Sequence, residues 1–205
     1  MVHRIKSNLR NNLKIWKDDL NVICISGGSN SMALLSMMKQ ALFGPSQKKM
    51  FFKVHVLHID ERHNGSRIST EDKDENLHLI VEAAKKCGFT YSVLPLELVF
   101  SLNSISFPGI AEKEEEKKEE DESSYINKVF SASPEDAEKL KELLEVPSPL
   151  CSNKEDLILF LKKWLMLWFA ERFGFKKLLL GTTGFGVAAK TLSEISKGRG
   201  ASFPH

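Results

Sequence analysis

The sequence predicts an α/β fold in which a parallel sheet of about five strands is flanked by helices. Short apolar runs alternate along the chain with segments of helical spacing, the order expected of parallel strands joined by helical crossovers. The first run, Val22 to Ile25, is apolar without interruption, as in strands buried on both faces. It leads directly into Gly27 and Gly28, so a tight turn is expected between this strand and the next helix.

The remaining elements follow from apolar spacing and from residues that begin or end helices. Strands are predicted at 22–25, 52–59, 89–96 and 177–180. Helices are predicted at 32–41, at 72–86, after Ser133-Pro134-Glu135-Asp136, at 154–173 and at 187–196. Loops 26–31, 60–69 and 181–186 come at the carboxyl ends of strands, where ligands bind in parallel sheets.

Length and charge indicate one domain over residues 1–205, with a flexible acidic insertion at about 101–133. Residues 112–122 hold 8 acids and 3 lysines, which leaves 26 basic and 19 acidic residues elsewhere, a net charge of +7. A basic body of this kind suits an anionic partner, although such a balance is also common in proteins that bind none.

Several classes of protein are disfavoured by the composition. Three distant cysteines, Cys24, Cys87 and Cys151, give neither a disulfide framework nor a four-ligand zinc site. The most apolar stretch, 157–170, is too short to cross a membrane and contains two lysines. The N-terminus lacks a signal-peptide core; a basic amphipathic helix is favoured there over a mitochondrial presequence. We therefore expect a soluble, intracellular protein.

The segment Ser26-Gly27-Gly28-Ser29-Asn30-Ser31 is the most informative part of the sequence. Its glycines allow close approach of a ligand, its backbone amides and the following helix dipole favour phosphate oxygens, and its serines add hydroxyl donors. A plain strand-to-helix turn explains the same residues equally well. The segment is neither a Walker A loop nor the glycine pattern of dinucleotide-binding folds.

This segment resembles the PP-loop, S-G-G-x-D-S, of ATP pyrophosphatases. Two further segments agree in position: His58-Ile59-Asp60, where the second strand ends, and Gly181 to Ala188, which replaces the G-H-N-x-D-D-x-A of tRNA-thiolating members. The resemblance implies a PP-loop, adenine nucleotide alpha hydrolase-like architecture. It also implies a nucleotide site formed by Ser26, Gly27, Gly28, Ser29, Asn30, Ser31, Asp60 and Gly181.

The acidic residues of that pattern are replaced in this chain. Asn30 stands at the aspartate of the loop, and Thr182, Phe185 and Gly186 stand at a histidine and two aspartates. In the family those aspartates would hold Mg²⁺ against the triphosphate. The resemblance therefore implies that ATP binding is weakened or lost, that no metal is bound, and that the chain supplies no catalytic residue.

The C-terminal segment 192–202 resembles the G-R-G-x-S region of the cytoplasmic tRNA 2-thiolation protein 2 family. This implies a cytoplasmic, non-catalytic subunit of a heterodimer that thiolates the wobble uridine, U34, of tRNAs. The complex would activate the uridine with ATP and take sulfur from a ubiquitin-like thiocarboxylate. Family members are longer, with flanking cysteine pairs, so a truncated member is expected.

Other residues leave alternatives open. Lys197 and Arg199 are the candidates for contact with tRNA, and solvated helix faces explain the basic residues about as well. The predicted helix at 154–173 is apolar nearly all round, which favours an internal helix; part of its face, with Trp164 and Trp168, is the alternative partner surface. Cys24 is expected to be a buried structural thiol, and no role is assigned to Cys151. The competing functions are a stand-alone PP-loop ligase and a nucleotide-binding module.

Overall fold

A computed structural model describes residues 7, 9–11, 14–16, 18–44, 52–61, 70–102, 125–145 and 151–198. Five strands form one sheet: β1 (Leu20–Cys24), β2 (Lys53–Asp60), β3 (Thr90–Pro95), β4 (Lys128–Val129) and β5 (Lys177–Leu180). Their order is β4-β3-β2-β1-β5, and every neighbouring pair is parallel. The predicted parallel sheet of about five strands is confirmed.

Helices connect the strands and cover both faces of the sheet. They are α1 (Ser29–Phe43), α2 (Thr70–Cys87), α3 (Pro134–Glu145), α4 (Cys151–Arg172) and α5 (Gly184–Ser196), and a 3-10 turn spans Leu96–Phe100. Residues of α1 and α2, such as Leu35 and Ile80, form one core with alternate strand residues. Residues of α3 and α4, such as Leu140 and Leu165, form a second core on the opposite face. Alternating side chains of β1 enter both cores because successive residues of a strand point to opposite faces.

Part of the predicted insertion at 101–133 lies within the described residues. Residues 125–133 are described, and they supply β4 at the sheet edge and the buried Tyr125. The acidic run 112–122 lies outside the described residues. Near β4, Asp136 at the start of α3 accepts a hydrogen bond from Ser101, which fixes the two ends of the insertion close together.

A buried histidine joins this region to the sheet. Ser92 Oγ donates to the Tyr125 carbonyl at 2.6 Å, so its oxygen must accept from His55 Nε2 at 2.9 Å. His55 Nδ1 then accepts from the Thr90 hydroxyl at 2.8 Å. Burial lowers the pKa of His55 to about 3, so the ring is neutral at pH 7. The neutral ring therefore links β2, β3 and the segment that leads to β4 through these hydrogen bonds.

The C-terminal helix α5 contributes no buried residue. Its polar side meets α4: Lys197 Nζ lies 2.7 Å from Asp156 Oδ1, and Lys190 lies beside Lys163. Phe185, Leu192 and Ile195 share another side, and each is exposed. The helix thus presents its large apolar side chains to solvent. Among the helices described here, none has the length and apolar character needed to cross a membrane.

Candidate functional site

The candidate site lies where the chain reverses its direction of travel across the sheet. Strands β1 to β4 are laid down successively in one direction, and β5 then pairs with the opposite side of β1. The loops after β1 and β5 leave the same edge and diverge to helices on the two faces. This is the topological switch point at which open α/β sheets bind ligands. The loops that the sequence placed at the carboxyl ends of β1 and β5 therefore both lie at this switch point.

The loop after β1 has the backbone shape that its glycines predicted. Gly27 has φ +83°, in the left-handed region, and Gly28 precedes α1 in an extended conformation. A Cβ on Gly27 would also lie 3.0 Å from Ile80 Cδ1 of α2. Gly27 is thus required by conformation first and by space second.

Helix α1 begins with no side-chain cap and with no acidic residue in its first turn. The first backbone hydrogen bond of the helix runs from Met32 N to the Gly28 carbonyl. The first-turn amides at Ser29, Asn30 and Ser31 therefore precede the intrahelical ladder, and they lie at the positive end of the helix dipole. This arrangement can accept an anion.

The hydroxyl groups of the loop are not equivalent. Ser31 is buried, and its Oγ donates to the Gly28 carbonyl at 2.8 Å, so this proton stabilises the turn. Ser26, Ser29 and Asn30 are exposed. The three exposed residues can reach a ligand with their side chains, whereas Ser31 shapes the turn.

Gly181 belongs to the same site through close packing. A Cβ at this position would lie 2.6 Å from Ser31 Cα and 2.8 Å from both Asn30 O and Ser31 N. The backbone after β5 therefore rests directly on the first turn of α1. Gly181, one of the residues predicted to bind nucleotide, thus allows the backbones of these two loops to pack in direct contact.

The end of β2 borders the loop on the other side of β1. Asp60 is buried at the last position of the strand, and Glu61 forms an ion pair with Lys162 of α4. His58 Nδ1 lies 2.8 Å from the Ile25 carbonyl, immediately before the loop. Sequence reasoning placed Asp60 in the site but gave His58 no role. The available signal was a histidine two residues before Asp60 in a largely apolar run, which also contains His55.

The loop after β5 differs from that after β1. Thr183 caps α5 by accepting from Gly186 N at 3.1 Å, and Phe185 is 85% exposed. Neither residue offers a carboxylate to a cation. Within the described ranges, no cluster of three or more histidine, cysteine, aspartate or glutamate side chains could hold a metal ion.

The remaining candidate residues have other contacts or lie outside the described residues. Lys197 follows the last residue of α5 and pairs with Asp156, while Arg199 is outside the described residues. Cys24 is buried, and burial raises the pKa of its thiol to about 12, so it is an inert core residue. Cys151 is the first residue of α4 rather than the residue before it, and its side chain lies outside the described part.

The interpretation of α4 as an internal helix needs correction. Trp164 and Trp168 are partly buried and pack against the second core, so they do not form the open surface. Phe160 and Leu167 of the same helix are exposed. The open apolar side chains of α4 are therefore different from those that the sequence singled out.

The sheet order, the glycine loop and the uncapped α1 define an α/β fold of the PP-loop type. The same fold occurs in a solved structure, the U34-tRNA thiolase NcsA from Methanococcus maripaludis with its [4Fe-4S] cluster. The two share a TM-score of 0.56 and 11% sequence identity, over 96% of this chain and 50% of that chain. At this identity the comparison shows the fold alone. No family model matches the sequence.

Curated relatives give the narrower relationship. Proteins named Cytoplasmic tRNA 2-thiolation protein 2 match this chain with 27% identity in Danio rerio and 24% in Homo sapiens, each over 98% of this chain. The Dictyostelium discoideum protein of that name is 27% identical over 90% of the chain. The resemblance to the cytoplasmic tRNA 2-thiolation protein 2 family is thus confirmed over nearly the whole chain. The chain spans 44%, 45% and 30% of these three relatives.

Proposed function

We propose that this protein acts in the 2-thiolation of the wobble uridine of cytoplasmic tRNAs. The observation that carries the proposal is similarity over nearly the whole chain to proteins named for this modification. The shared fold with a U34-tRNA thiolase supports it independently. A protein of this kind has tRNA as substrate and works in the cytoplasm.

Within that process the chain serves as a non-catalytic subunit. The backbone geometry of a phosphate-binding loop is present, with Gly27 in the left-handed region and the first turn of α1 uncapped. The carboxylates that would hold Mg²⁺ in active PP-loop enzymes are replaced by Asn30, Phe185 and Gly186. Adenylation needs its leaving pyrophosphate to be stabilised by positive charge, and the described residues of the loops after β1 and β5 offer no carboxylate to hold such a metal. A catalytic partner subunit therefore performs the ATP chemistry and receives sulfur from a ubiquitin-like thiocarboxylate.

The partner subunit docks on the apolar side of α5 and on the neighbouring exposed residues of α4. Phe185 and Leu192 are 85% and 68% exposed, and Phe160 and Leu167 are exposed as well. Large apolar side chains concentrated on two adjacent helices are typical of protein interfaces, and aromatic residues are enriched in the parts that contribute most to affinity. The two tryptophans of α4 are partly buried against the second core and are not part of this surface.

Contact with tRNA involves the basic end of α5. Lys190 of α5 lies beside Lys163 of α4, Lys197 directly follows α5, and Arg199 comes next but one in sequence. Asp156 offsets the charge of Lys197 in the free protein. A phosphate group can replace Asp156 as the partner of Lys197, because exposed ion pairs contribute little to stability.

Recovery of tRNA with the native protein tests the proposal. The tagged protein is purified from cells in its complexes, and bound tRNAs are sequenced. We expect enrichment of the tRNAs that carry 2-thiouridine at position 34 over those with other wobble bases. Equal recovery of all tRNAs, or of none, contradicts a role in this modification.

A second candidate function is a stand-alone nucleotide-binding module or ligase, favoured by the uncapped α1. An Asn30→Asp variant separates the two, with Ser36→Asp, an exposed position two turns along α1, as a control of equal charge. We expect Mg²⁺-dependent ATP binding to appear in Asn30→Asp alone and pyrophosphate release to be absent from the wild type. Pyrophosphate release by the wild-type chain favours the ligase.

A further inference from the structure

The segment before β1, residues 14–16, 18 and 19, is fixed through its backbone. The Ile15 amide donates to the Leu9 carbonyl at 3.0 Å, and the Ile15 side chain is buried. The Trp16 amide donates to Asp19 Oδ2 at 2.8 Å, and the Trp16 carbonyl accepts from the Asp19 amide at 3.3 Å. Both backbone groups of Trp16 are therefore hydrogen-bonded, and the point from which its side chain departs is held in place.

Asp19 joins this segment to three strands of the sheet. Its buried carboxylate accepts from Lys176 Nζ at 2.6 Å, immediately before β5. Its carbonyl accepts from the Lys53 amide at 2.9 Å, at the start of β2, and from Asn21 Nδ2 at 3.0 Å, in β1. Because β1, β2 and β5 are parallel, the segment lies at the amino edge of the sheet, opposite the edge that holds the glycine loop.

The indole ring of Trp16 takes little part in this packing. The residue is 64% exposed, whereas Ile15 beside it is 3% exposed. A buried aromatic side chain removes about 150–250 Å² from water, and most of that gain is absent here. The fold thus holds the backbone of Trp16 and leaves the ring to solvent. A ring on a fixed backbone loses little further conformational freedom when a ligand packs on it, which favours binding.

The same edge carries an excess of positive charge. Four basic residues belong to the segment before β1, bond to it or adjoin a residue that does: Arg10, Lys14, Lys176 and Lys177. Lys14 is exposed, and its carbonyl accepts from the Lys177 ammonium at 2.9 Å, which leaves that ammonium two further N–H donors. Asp18 and Asp19 are the acidic residues of the segment, and Lys176 pairs with Asp19. Four cations against two anions leave a net positive charge, which favours an anionic partner.

An open aromatic ring beside basic side chains suits single-stranded nucleic acid, because a base stacks on the ring and phosphates bind the cations. An acidic peptide would use the cations alone. We propose that the amino edge of the sheet is an RNA-binding surface, with an unpaired base stacked on Trp16 and flanking phosphates bound by Lys14 and Lys177. Its residues are distinct from the basic end of α5, to which the proposed function assigns contact with tRNA, and it does not require the thiolation role.

Two substitutions at Trp16 test the stacking. Binding of a fluorescein-labelled single-stranded RNA of about 12 nucleotides to the full chain is measured by fluorescence anisotropy. We expect Trp16→Ala to bind roughly 5- to 150-fold more weakly, which is the loss of one stacked base, and Trp16→Phe to keep most of the affinity because a ring remains. Both variants should melt close to the wild-type temperature, because the ring is exposed.

The salt dependence of binding tests the cations. Lys14→Gln is compared with Lys141→Gln, which removes an equal charge from an exposed position of α3. Loss of one phosphate contact should reduce the slope of log affinity against log salt concentration by about 0.7 in Lys14→Gln, and Lys141→Gln should keep the wild-type slope. Equal slopes in the two variants contradict the proposal.

Tryptophan emission reports on the ring itself. Single-stranded RNA should quench the emission of the wild-type chain and have little effect on Trp16→Phe, whose remaining tryptophans, Trp164 and Trp168, are partly buried. A blunt-ended duplex of the same length offers no unpaired base and should not quench. Equal quenching of the wild type and Trp16→Phe, or equal quenching by the duplex, contradicts stacking on Trp16.

Equal RNA affinity in the wild type and Trp16→Ala overturns the proposal. Stronger competition by polyglutamate than by unlabelled RNA also overturns it and identifies a surface for acidic proteins. Neither result affects the tRNA recovery experiment, so the two proposals fail separately. Weaker single-strand binding by Trp16→Ala together with indiscriminate tRNA recovery leaves this surface standing and removes the thiolation role.

Discussion

Replacement of Gly181 by alanine is expected to destabilise the protein and disturb the candidate site together. The added Cβ would lie 2.6 Å from Ser31 Cα and 2.8 Å from the Asn30 carbonyl oxygen, where ordinary contact begins at 3.4 Å. Relief requires the two backbone segments to separate by roughly 1 Å, since carbon atoms pack best at about 3.5–4.0 Å. Both neighbours are backbone atoms at the start of a helix, so no flexible side chain can move aside.

The expected cost follows from the effects of overpacking in a closely packed region, about 1–3 kcal/mol. For a chain of this size, each kcal/mol lowers the melting temperature by about 2–4 °C, so a decrease of roughly 2–12 °C is expected. Thermal unfolding followed by circular dichroism measures it. Gly184→Ala is the matched control, because nothing lies within 4 Å of its added Cβ and the residue begins α5. Equal melting temperatures for the wild type, Gly181→Ala and Gly184→Ala would refute the close-packing argument.

Three further predictions concern a buried histidine, an ion pair and the exposed face of α5. The pKa of His55 is about 3 in the folded chain and 6.5 in the unfolded chain, so the unfolded state binds more protons between these values. The free energy of unfolding should therefore fall by at most about 1.4 kcal/mol for each pH unit below 6.5. A flat denaturation profile from pH 6 to 4 would contradict this. Lys176 donates a hydrogen bond to Asp19 at 2.6 Å and lowers the pKa of that carboxyl. The stabilisation from this pair is present above about pH 4 and is lost as the pH falls through the folded pKa of Asp19. Lys176→Met should lower the free energy of unfolding at pH 7 and reduce its further decrease in acid, as measured by urea titrations. The double variant Phe185→Ser/Leu192→Ser should change the free energy of unfolding by about 0.5 kcal/mol or less and yet reduce co-purification of the partner subunit; unchanged recovery would show that the partner binds elsewhere.

Residues with strong local preferences were predictable from the sequence. An uninterrupted apolar run followed by Gly27 and Gly28 has few structural solutions, and the predicted strand and turn were both found. The strand at Lys177–Leu180 was predicted with its observed bounds. The carboxyl-edge location of the loop then followed from the rules of parallel sheets.

Features that depend on tertiary contacts were not predictable in the same way. Strand β4 has only two residues and pairs with β3, so it carries no periodicity of its own. The apolar residues around α4 did not show which side is open to solvent, because apolar residues occur on nearly every side of the helix. The role of His58 depends on a carbonyl 33 residues earlier in the chain, which only the β1–β2 pairing brings within reach.

The sequence predicted where the residues of the candidate site lie more completely than it predicted what each residue does. Ser26 to Ser31 and Gly181 do meet at one edge of the sheet. Within that group, however, Ser31 stabilises the turn and Gly181 permits contact between the loops. Sequence spacing identifies residues that come together, whereas hydrogen-bond direction decides what each can still offer to a ligand.

Mass spectrometry of tRNA nucleosides tests the central claim most directly. The protein is depleted from its cells, and the 2-thiouridine derivatives of the wobble position are quantified before and after wild-type protein is restored. We predict that the thiolated nucleoside disappears, that its unthiolated side-chain precursor accumulates, and that restoration reverses both changes. Unchanged wobble thiolation in depleted cells would contradict a role for this protein in tRNA 2-thiolation.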